Sequence, residues 1–260
     1  MKFYKYEGTG NDFIMIDNRK KFFSKNEKKI KLLCDRKFGI GADGLILLEN
    51  HEKFDFQMKY FNSDGKIASM CGNGGRCIVA FAKKLKIINN KTKFSAFDGS
   101  HNAEIYDENF VKLQMNNLEK IEKIGNSYFL NTGSPHFCSF VENLENINLL
   151  YEAKKIRYND MFKKKGTNVN FIEKKENKIF VRTYERGVED ETLSCGTGVV
   201  ASAIANYLEN NPKKTNLEIS TKGGILKVFF EKNDNIFKNI FLQGKANFVF
   251  EGTIFLMNNE

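Results

Sequence analysis

The sequence predicts a duplicated α/β protein, two homologous domains in tandem, and three observations carry that reading. Cys71 and Cys195 each stand where a strand-like run gives way to Gly-rich sequence and then to helix, within Tyr60 to Ala82 and Tyr184 to Ala205. In both, a Tyr precedes the Cys by eleven residues and Cys-Gly-x-Gly opens the helix. Other landmarks recur at nearly one offset: Thr9-Gly10 and Thr132-Gly133 (132 − 9 = 123), Tyr60 and Tyr184 (184 − 60 = 124), Gly99 and Gly223 (223 − 99 = 124). That spacing lies far above the roughly 20 to 50 residues of solenoid repeats, so it marks one domain of about 120 residues used twice. A chain of 260 residues holds two such domains. The boundary falls near residue 118, giving halves 1–117 and 118–247.

Taken in order, residues 3–17 alternate apolar residues around Gly8-Thr9-Gly10-Asn11-Asp12, a strand, tight turn and strand that present Asn11 at the turn. Ser24-x-x-Glu27 reads as a capping box. The helix it opens carries Ile30, Leu33, Cys34 and Phe38 on its apolar face and ends at Gly39. The glycines of Gly39 to Gly44 lack the Gly-Lys-Ser/Thr of a phosphate loop and the spacing of a dinucleotide site. Leu45 to Leu48 form a short strand, and Phe54, Phe56, Met58 and Tyr60 alternate as a half-buried one that delivers Asn62 and Asp64-Gly65 to its far end. The helix after Cys71 turns Cys77, Ile78, Phe81 and Leu85 inward, and strands follow around Phe94, Ile105 and Val111 to Met115.

The second half repeats this order. Thr132 to His136 is the counterpart of the first turn, and residues 145–157 of the first helix. Asn168-Val-Asn170-Phe171 enters a strand, and residues 178–184 deliver Glu185 and Arg186 towards Cys195. Leu217 and Ile219, then Leu226, Val228 and Phe230, form a hairpin around Gly223-Gly224. The last run, Phe248 to Leu256, has no counterpart earlier in the chain. It is expected to cross back and close the first domain's sheet, so that residues 248–260 belong to that domain.

Composition excludes several classes. The net charge of +9 comes from lysines scattered or in short runs with acidic residues nearby, a solvated surface rather than a nucleic-acid footprint, although it would steer an anionic small molecule. No apolar stretch reaches the roughly 18 residues that span a bilayer, and the first residues lack the apolar core of a signal peptide, so a cytoplasmic protein is expected. There its five cysteines stay reduced. Neither Cys-x-x-Cys nor zinc-type Cys/His spacing occurs, so no metal is expected.

A helix N-terminus carries unpaired amides and partial positive charge, so a cysteine there ionises more readily and the same amides bind a carboxylate. Two such ends facing each other across a duplication axis would hold an anion between two reactive sulfurs. Inverting a tetrahedral C–H carbon needs a base on one face and an acid on the other. Sulfurs each ~3.5 Å from that carbon lie roughly 7 Å apart, where two thiolates repel by about 2.4 kcal/mol at an effective dielectric near 20. The pair therefore shares one proton, a thiolate beside a thiol, and titrates as a coupled system. The carbanion spreads into the carboxylate, where helix-end amides stabilise it, and no cofactor is needed.

Gly8 to Phe13, Asn62 to Gly65, Met70 to Cys77, Thr132 to His136, Asn168 to Phe171, and Glu185 to Val188 with Cys195 to Gly198 together resemble the diaminopimelate epimerase family over essentially the whole chain. The resemblance implies two pseudosymmetric domains, each a curved, mostly antiparallel sheet around a central helix. It also implies interconversion of LL- and meso-diaminopimelate for lysine and peptidoglycan synthesis. By resemblance, Cys71 and Cys195 are the acid/base pair, and Asn11, Asn62, Asn168, Glu185 and Arg186 contact the substrate. Gly72, Asn73, Gly196 and Thr197 offer backbone amides to the reacting carboxylate, and His136 is the family's site histidine. The chain departs from the common pattern at Gly44 and Ser134, where Gln and Asn are frequent, and in a Glu185 to Cys195 segment one residue longer than the commonest form. The alternatives are a proline- or hydroxyproline-type racemase of the same fold and a thiol-redox protein. The sequence does not set the oligomeric state, and a homodimer is open.

Overall fold

A two-residue turn starts the first sheet. Strands β1 (Lys2–Gly8) and β2 (Asn11–Asp17) pair antiparallel, Gly8 opposite Asn11, across Thr9 and Gly10, whose φ values of 53° and 83° are those of a tight turn that follows the strand twist. The computed structural model describes residues 1–107, 109–176, 178–212 and 214–255. Helix α1 (Glu27–Cys34) follows, and its cap is Asn26, which accepts from the Lys29 amide at 3.2 Å. The expected cap, Ser24, lies outside the helix because the nearer asparagine takes the amide. The helix also stops at Cys34 rather than at Gly39. The Asp35 carboxylate accepts from the amides of Lys37 and Phe38 (2.7 and 2.8 Å), turning the chain so that Phe38 is 82% exposed instead of packed.

Strands β3 (Gly44–Glu49) and β4 (Gln57–Asn62), helix α2 (Gly72–Lys84), and strands β5 (Lys91–Ala96), β6 (Gly99–Tyr106) and β7 (Phe110–Gln114) complete this part of the chain. Then come β8 (Ile121–Ile124), β9 (Ser127–Asn131), β10 (Pro135–Phe140), helix α3 (Leu149–Arg157), β11 (Asn168–Lys175), β12 (Lys178–Glu185) and β13 (Asp190–Thr192). Helix α4 (Gly196–Asn210), β14 (Asn216–Thr221), β15 (Gly224–Asn233), β16 (Ile236–Lys245) and β17 (Asn247–Thr253) end it.

These elements form two compact units, Met1–Leu113 with Lys245–Glu260, described as far as Phe255, and Gln114–Gly244. In the first, the strand order is β17-β1-β2-β3-β4-β5-β6-β7, antiparallel except for β2–β3 and β4–β5. In the second it is β8-β9-β10-β11-β12-β14-β15-β16, antiparallel except for β10–β11 and β12–β14, with β13 also on β12. Strand for strand the two orders agree. Helix α2 packs against β1, β2, β3, β4, β6 and β17, and α4 against β9, β10, β11, β12, β14 and β15, so each sheet curves round its helix. Both helices are accordingly buried on all sides over most of their length, α2 from Gly72 through Ala82 and α4 from Gly196 through Asn206.

Two further sequence expectations change. The final run does pair with β1, as β17, its last predicted residue Leu256 lying outside the described residues. It has a counterpart, however: β8 sits beside β9 as β17 sits beside β1. Only four residues long and without a fully buried side chain, β8 gives no apolar signal. The structural partner of Gly99 is Gly224 rather than Gly223, since both open the second strand of a hairpin with φ of 128° and 136°.

Candidate active site

Each cysteine is the N-cap residue of the helix its sheet surrounds, and among the described residues no side chain caps either helix. Extended backbone at Cys71 (φ −97°, ψ 126°) and Cys195 (φ −116°, ψ 111°) turns into helix at the next residue, Gly72 or Gly196. The first helical hydrogen bonds run from Gly75 N to Cys71 O and from Val199 N to Cys195 O (2.7 and 2.8 Å). The amides of Gly72, Asn73, Gly196 and Thr197 therefore precede the intrahelical ladder, at the positive end of each helix dipole.

In the first unit the half-buried Cys71 has its Sγ 3.6 Å from Asn11 Oδ1, which also accepts from Asn73 Nδ2 at 3.4 Å. Asn11 is turned that way from behind, its Nδ2 donating to Asp43 Oδ2 at 2.7 Å. Arg36 grips both Asp43 (2.8 Å) and Asp12 (2.9 and 2.7 Å), and Lys5 Nζ lies 2.9 Å from Asp12. Burial pushes the Asp12 carboxyl up, but Arg36 and Lys5 outweigh it and hold it well below the usual range. The fully buried Arg76 donates to Gly72 O, Thr9 Oγ1 and Asn73 Oδ1 (3.1, 3.2 and 3.0 Å), tying the first turn to the helix start. Asn62 stands exposed at the end of β4 and makes no side-chain hydrogen bond among the described residues. A side chain at Gly44 has no room, because its Cβ would lie 2.6 Å from Phe61 O and from the Tyr60 ring.

In the second unit Cys195 is 8% exposed, with Sγ 3.5 Å from Thr197 Oγ1. That hydroxyl is 2.9 Å from His136 Nε2, and His136 Nδ1 faces Asn170 Nδ2 at 3.0 Å. Thr132 Oγ1 donates to Thr197 O at 2.8 Å. Burial, then the positive charge of Arg186, pushes the His136 pKa down to about 3 against a weaker opposing effect of Asn170, so the ring is neutral at ordinary pH. Asn168 Oδ1 accepts from the Arg186 amide at 2.8 Å, and its Nδ2 lies 3.4 Å from His136 Nε2. Arg186 itself is exposed, donating one N–H to Lys165 O at 2.9 Å, and Glu185 is half-buried at the end of β12.

The structure thus gathers Asn11, Asn73 and Cys71 at one helix start, and Asn168, His136, Thr197 and Cys195 at the other. Cys34, Cys77 and Cys138 are core residues whose thiols burial pushes up, Cys34 and Cys138 to about 12, which leaves them inert at ordinary pH. Sequence reasoning gave no role to Asp43, Arg76, Asn170 or Thr183. For Asn170 a signal existed, since the period of a strand puts it on the same face as Asn168.

The fold is that of a class of isomerases and their relatives. A hydroxyproline epimerase from Agrobacterium vitis superposes with TM-score 0.72 at 12% identity, over 98% of this chain and 90% of that one. A phenazine biosynthesis protein of the PhzF family from Bacillus anthracis does so with TM-score 0.76 at 14% identity, over 98% and 99%. The sequence profile for diaminopimelate epimerase matches residues 3–121 and 128–249. Diaminopimelate epimerase of Flavobacterium psychrophilum is 56% identical over 98% of this chain and all of its own length, and that of Aquifex aeolicus 41% identical over 98% of each. The chain belongs to the diaminopimelate epimerase family.

Proposed function

We propose that this protein interconverts LL- and meso-diaminopimelate by a two-base mechanism, without a cofactor, in the cytoplasmic supply of lysine and peptidoglycan precursors. One observation carries the reading: in each unit a cysteine stands at the uncapped start of a buried helix, beside amides able to hold a carboxylate. A thiolate takes the α-proton from one face and the C–H electron pair stays on carbon, spreading into the carboxylate. The other thiol delivers its proton to the opposite face, and the two sulfurs end with their protonation exchanged. Cys71 and Cys195 fill these roles, from halves 1–117 with 248–260 and 118–247 respectively.

Gly72, Asn73, Gly196 and Thr197 offer amides to the reacting carboxylate. Asn11, Asn62, Asn168, Glu185 and Arg186 bind the rest of the substrate, and the exposed guanidinium of Arg186 suits the distal carboxylate. His136 supports the site from beneath. We assign neither nucleic-acid nor membrane partners. Among the described residues no helix is long and apolar enough to cross a membrane. A homodimer is the assembly we favour, supported by the exposed Phe248, Val249 and Phe250 of β17.

The test is proton NMR of the reduced protein with LL-diaminopimelate in deuterium oxide. The reading expects the α-proton signal to fade as the meso isomer appears. No exchange would sink the substrate assignment.

A further inference from the structure

Beneath the Cys195 helix lies a polar chain that the acid/base roles do not use. Asn170, fully buried, is held from one side by Thr183, whose Oγ1 donates to Asn170 Oδ1 at 2.9 Å. Its Nδ2 faces three groups: the Phe137 carbonyl at 3.4 Å, Cys138 Sγ at 3.6 Å and His136 Nδ1 at 3.0 Å. A carbonyl only accepts, so Phe137 requires the amide nitrogen of Asn170, not its oxygen, on that side. His136 Nδ1 is then an acceptor. In a neutral ring the remaining proton must sit on Nε2, 2.9 Å from Thr197 Oγ1. With one lone pair of Thr197 engaged by that N–H, its own proton is left to turn towards Cys195 Sγ at 3.5 Å.

The opposite tautomer would let Thr197 and the more distant Asn168 Nδ2 (3.4 Å) both donate to Nε2. It would also require Asn170 to turn its carbonyl oxygen towards that of Phe137. The closer contacts favour the first arrangement.

Gly198 shows how tightly this chain is built. A Cβ there would lie 2.5 Å from Asn170 Oδ1, 3.2 Å from His136 Cε1 and 3.3 Å from Cys195 Cβ. Its backbone is ordinary helix, so the glycine serves close approach rather than conformation.

We propose that Asn170 is a positioning residue for Cys195: by holding His136 as its Nε2–H tautomer it aims the Thr197 hydroxyl proton at Cys195 Sγ and makes that sulfur the proton acceptor in the resting protein. The opposite situation holds at Cys71, which meets the acceptor Asn11 Oδ1. The inference rests on the acid/base reading of Cys195, but its first test does not.

That test is the ring tautomer of His136, read from long-range proton–nitrogen-15 correlations in substrate-free protein. His51, His101 and His136 are the only histidines, so His136→Gln assigns the signal. The expected pattern is a protonated Nε2 and a bare Nδ1; a protonated Nδ1 overturns the proposal even if the protein is an active epimerase. The second test is the pH profile of kcat/KM for Asn170→Asp, Thr197→Val and Thr197→Ser. A carboxylate at 170 accepts from Nδ1 and reverses the tautomer, and valine removes the donor. Both should move the acidic limb about one pH unit upward, the loss of one hydrogen bond to a charged group, with KM little changed. Thr197→Ser should keep the wild-type profile. An acidic limb unmoved by Thr197→Val overturns the proposal whether or not Asn170→Asp folds. A wild type that exchanges no α-proton defeats the epimerase reading instead and leaves the tautomer result standing.

Discussion

The floors beneath the two cysteine-headed helices differ where the backbones agree. A Cβ on Gly74 of α2 would meet Ile46, Met58 and Phe13, whereas one on Gly198 of α4 would meet Asn170, His136 and Cys195. Ile46 and Asn170 are related by the duplication offset (170 − 46 = 124), as are Phe13 and His136 (136 − 13 = 123). The duplicated fold therefore keeps strand order and helix position but puts an apolar floor under one cysteine and a hydrogen-bonded one under the other. In the first unit the polar groups lie instead on the turn side, as Asn11, Asn73, Thr9 and Arg76. A reaction that needs one thiol and one thiolate gains from that inequality, because a pair in identical surroundings would have no preferred resting state.

The comparison breaks first if the cysteines are not both required. Cys71→Ala and Cys195→Ala are each expected to lower kcat for epimerisation by about 10³-fold, within the range for a lost acid or base. A near-normal rate in either variant, measured by isomer composition over time, would leave a single base and no role for the cysteine that was replaced.

Acid stability separates the units next. The His136 pKa, about 3 in the folded protein, lies below its unfolded value, so the unfolded chain takes the proton first. Its contribution to stability is whole above the unfolded pKa of roughly 6.5 and declines by about 1.4 kcal/mol per pH unit as pH falls from there towards 3. Asp12 in the first unit is likewise depressed, but its contribution is complete above the unfolded carboxylate value of roughly 3.9 and is lost only below it. His101, buried in that unit, lies with its Nε2 3.0 Å from Asp98 Oδ1. Hydrogen exchange between pH 6.5 and 4 should show the second unit loosening before the first, with His136→Gln flattening the slope. Equal loosening of both units contradicts this.

A smaller effect distinguishes the two helix starts. Gly198→Ala pushes on Asn170 Oδ1, which Thr183 fixes, and should cost roughly tenfold in kcat, the price of a disturbed hydrogen bond near a charge. Gly74→Ala meets the tip of Ile46 at 2.8 Å, which can swing, and should appear as a modest loss of urea stability with kcat nearly kept. The reverse pattern would mean that the polar floor has no catalytic consequence. The smallest change is expected of Asp43→Ala, which frees Asn11 Nδ2 at an exposed edge and should raise KM a few-fold without altering kcat.

Much of this was legible beforehand, for definite reasons. The repeat of Cys-Gly-x-Gly shows in sequence because helix start, close approach and thiol all lie within a few consecutive residues, and such local patterns survive duplication. Strand β8 was missed because four half-exposed residues carry too little apolar pattern, and the α1 cap because Asn26 competes with Ser24 two residues away. The environments of the thiols were not legible. Asp43 and Asn11 are 32 residues apart, and Asn170 and His136 are 34 apart, so only the folded sheets bring them together. Arg76 carries a charge whose partners are spread over two segments, and only the structure shows it fully buried in α2.

The inequality of the two thiols is tested most directly by alkylation of the reduced, substrate-free protein across pH, with mass spectrometry reading Cys71 and Cys195 separately. Scaling each to its own maximal rate removes the difference in exposure. The account predicts that Cys195 reaches half its maximal rate at the lower pH, and that the gap closes in Thr197→Val. Coincident curves in the wild type, or Cys71 leading, would contradict it.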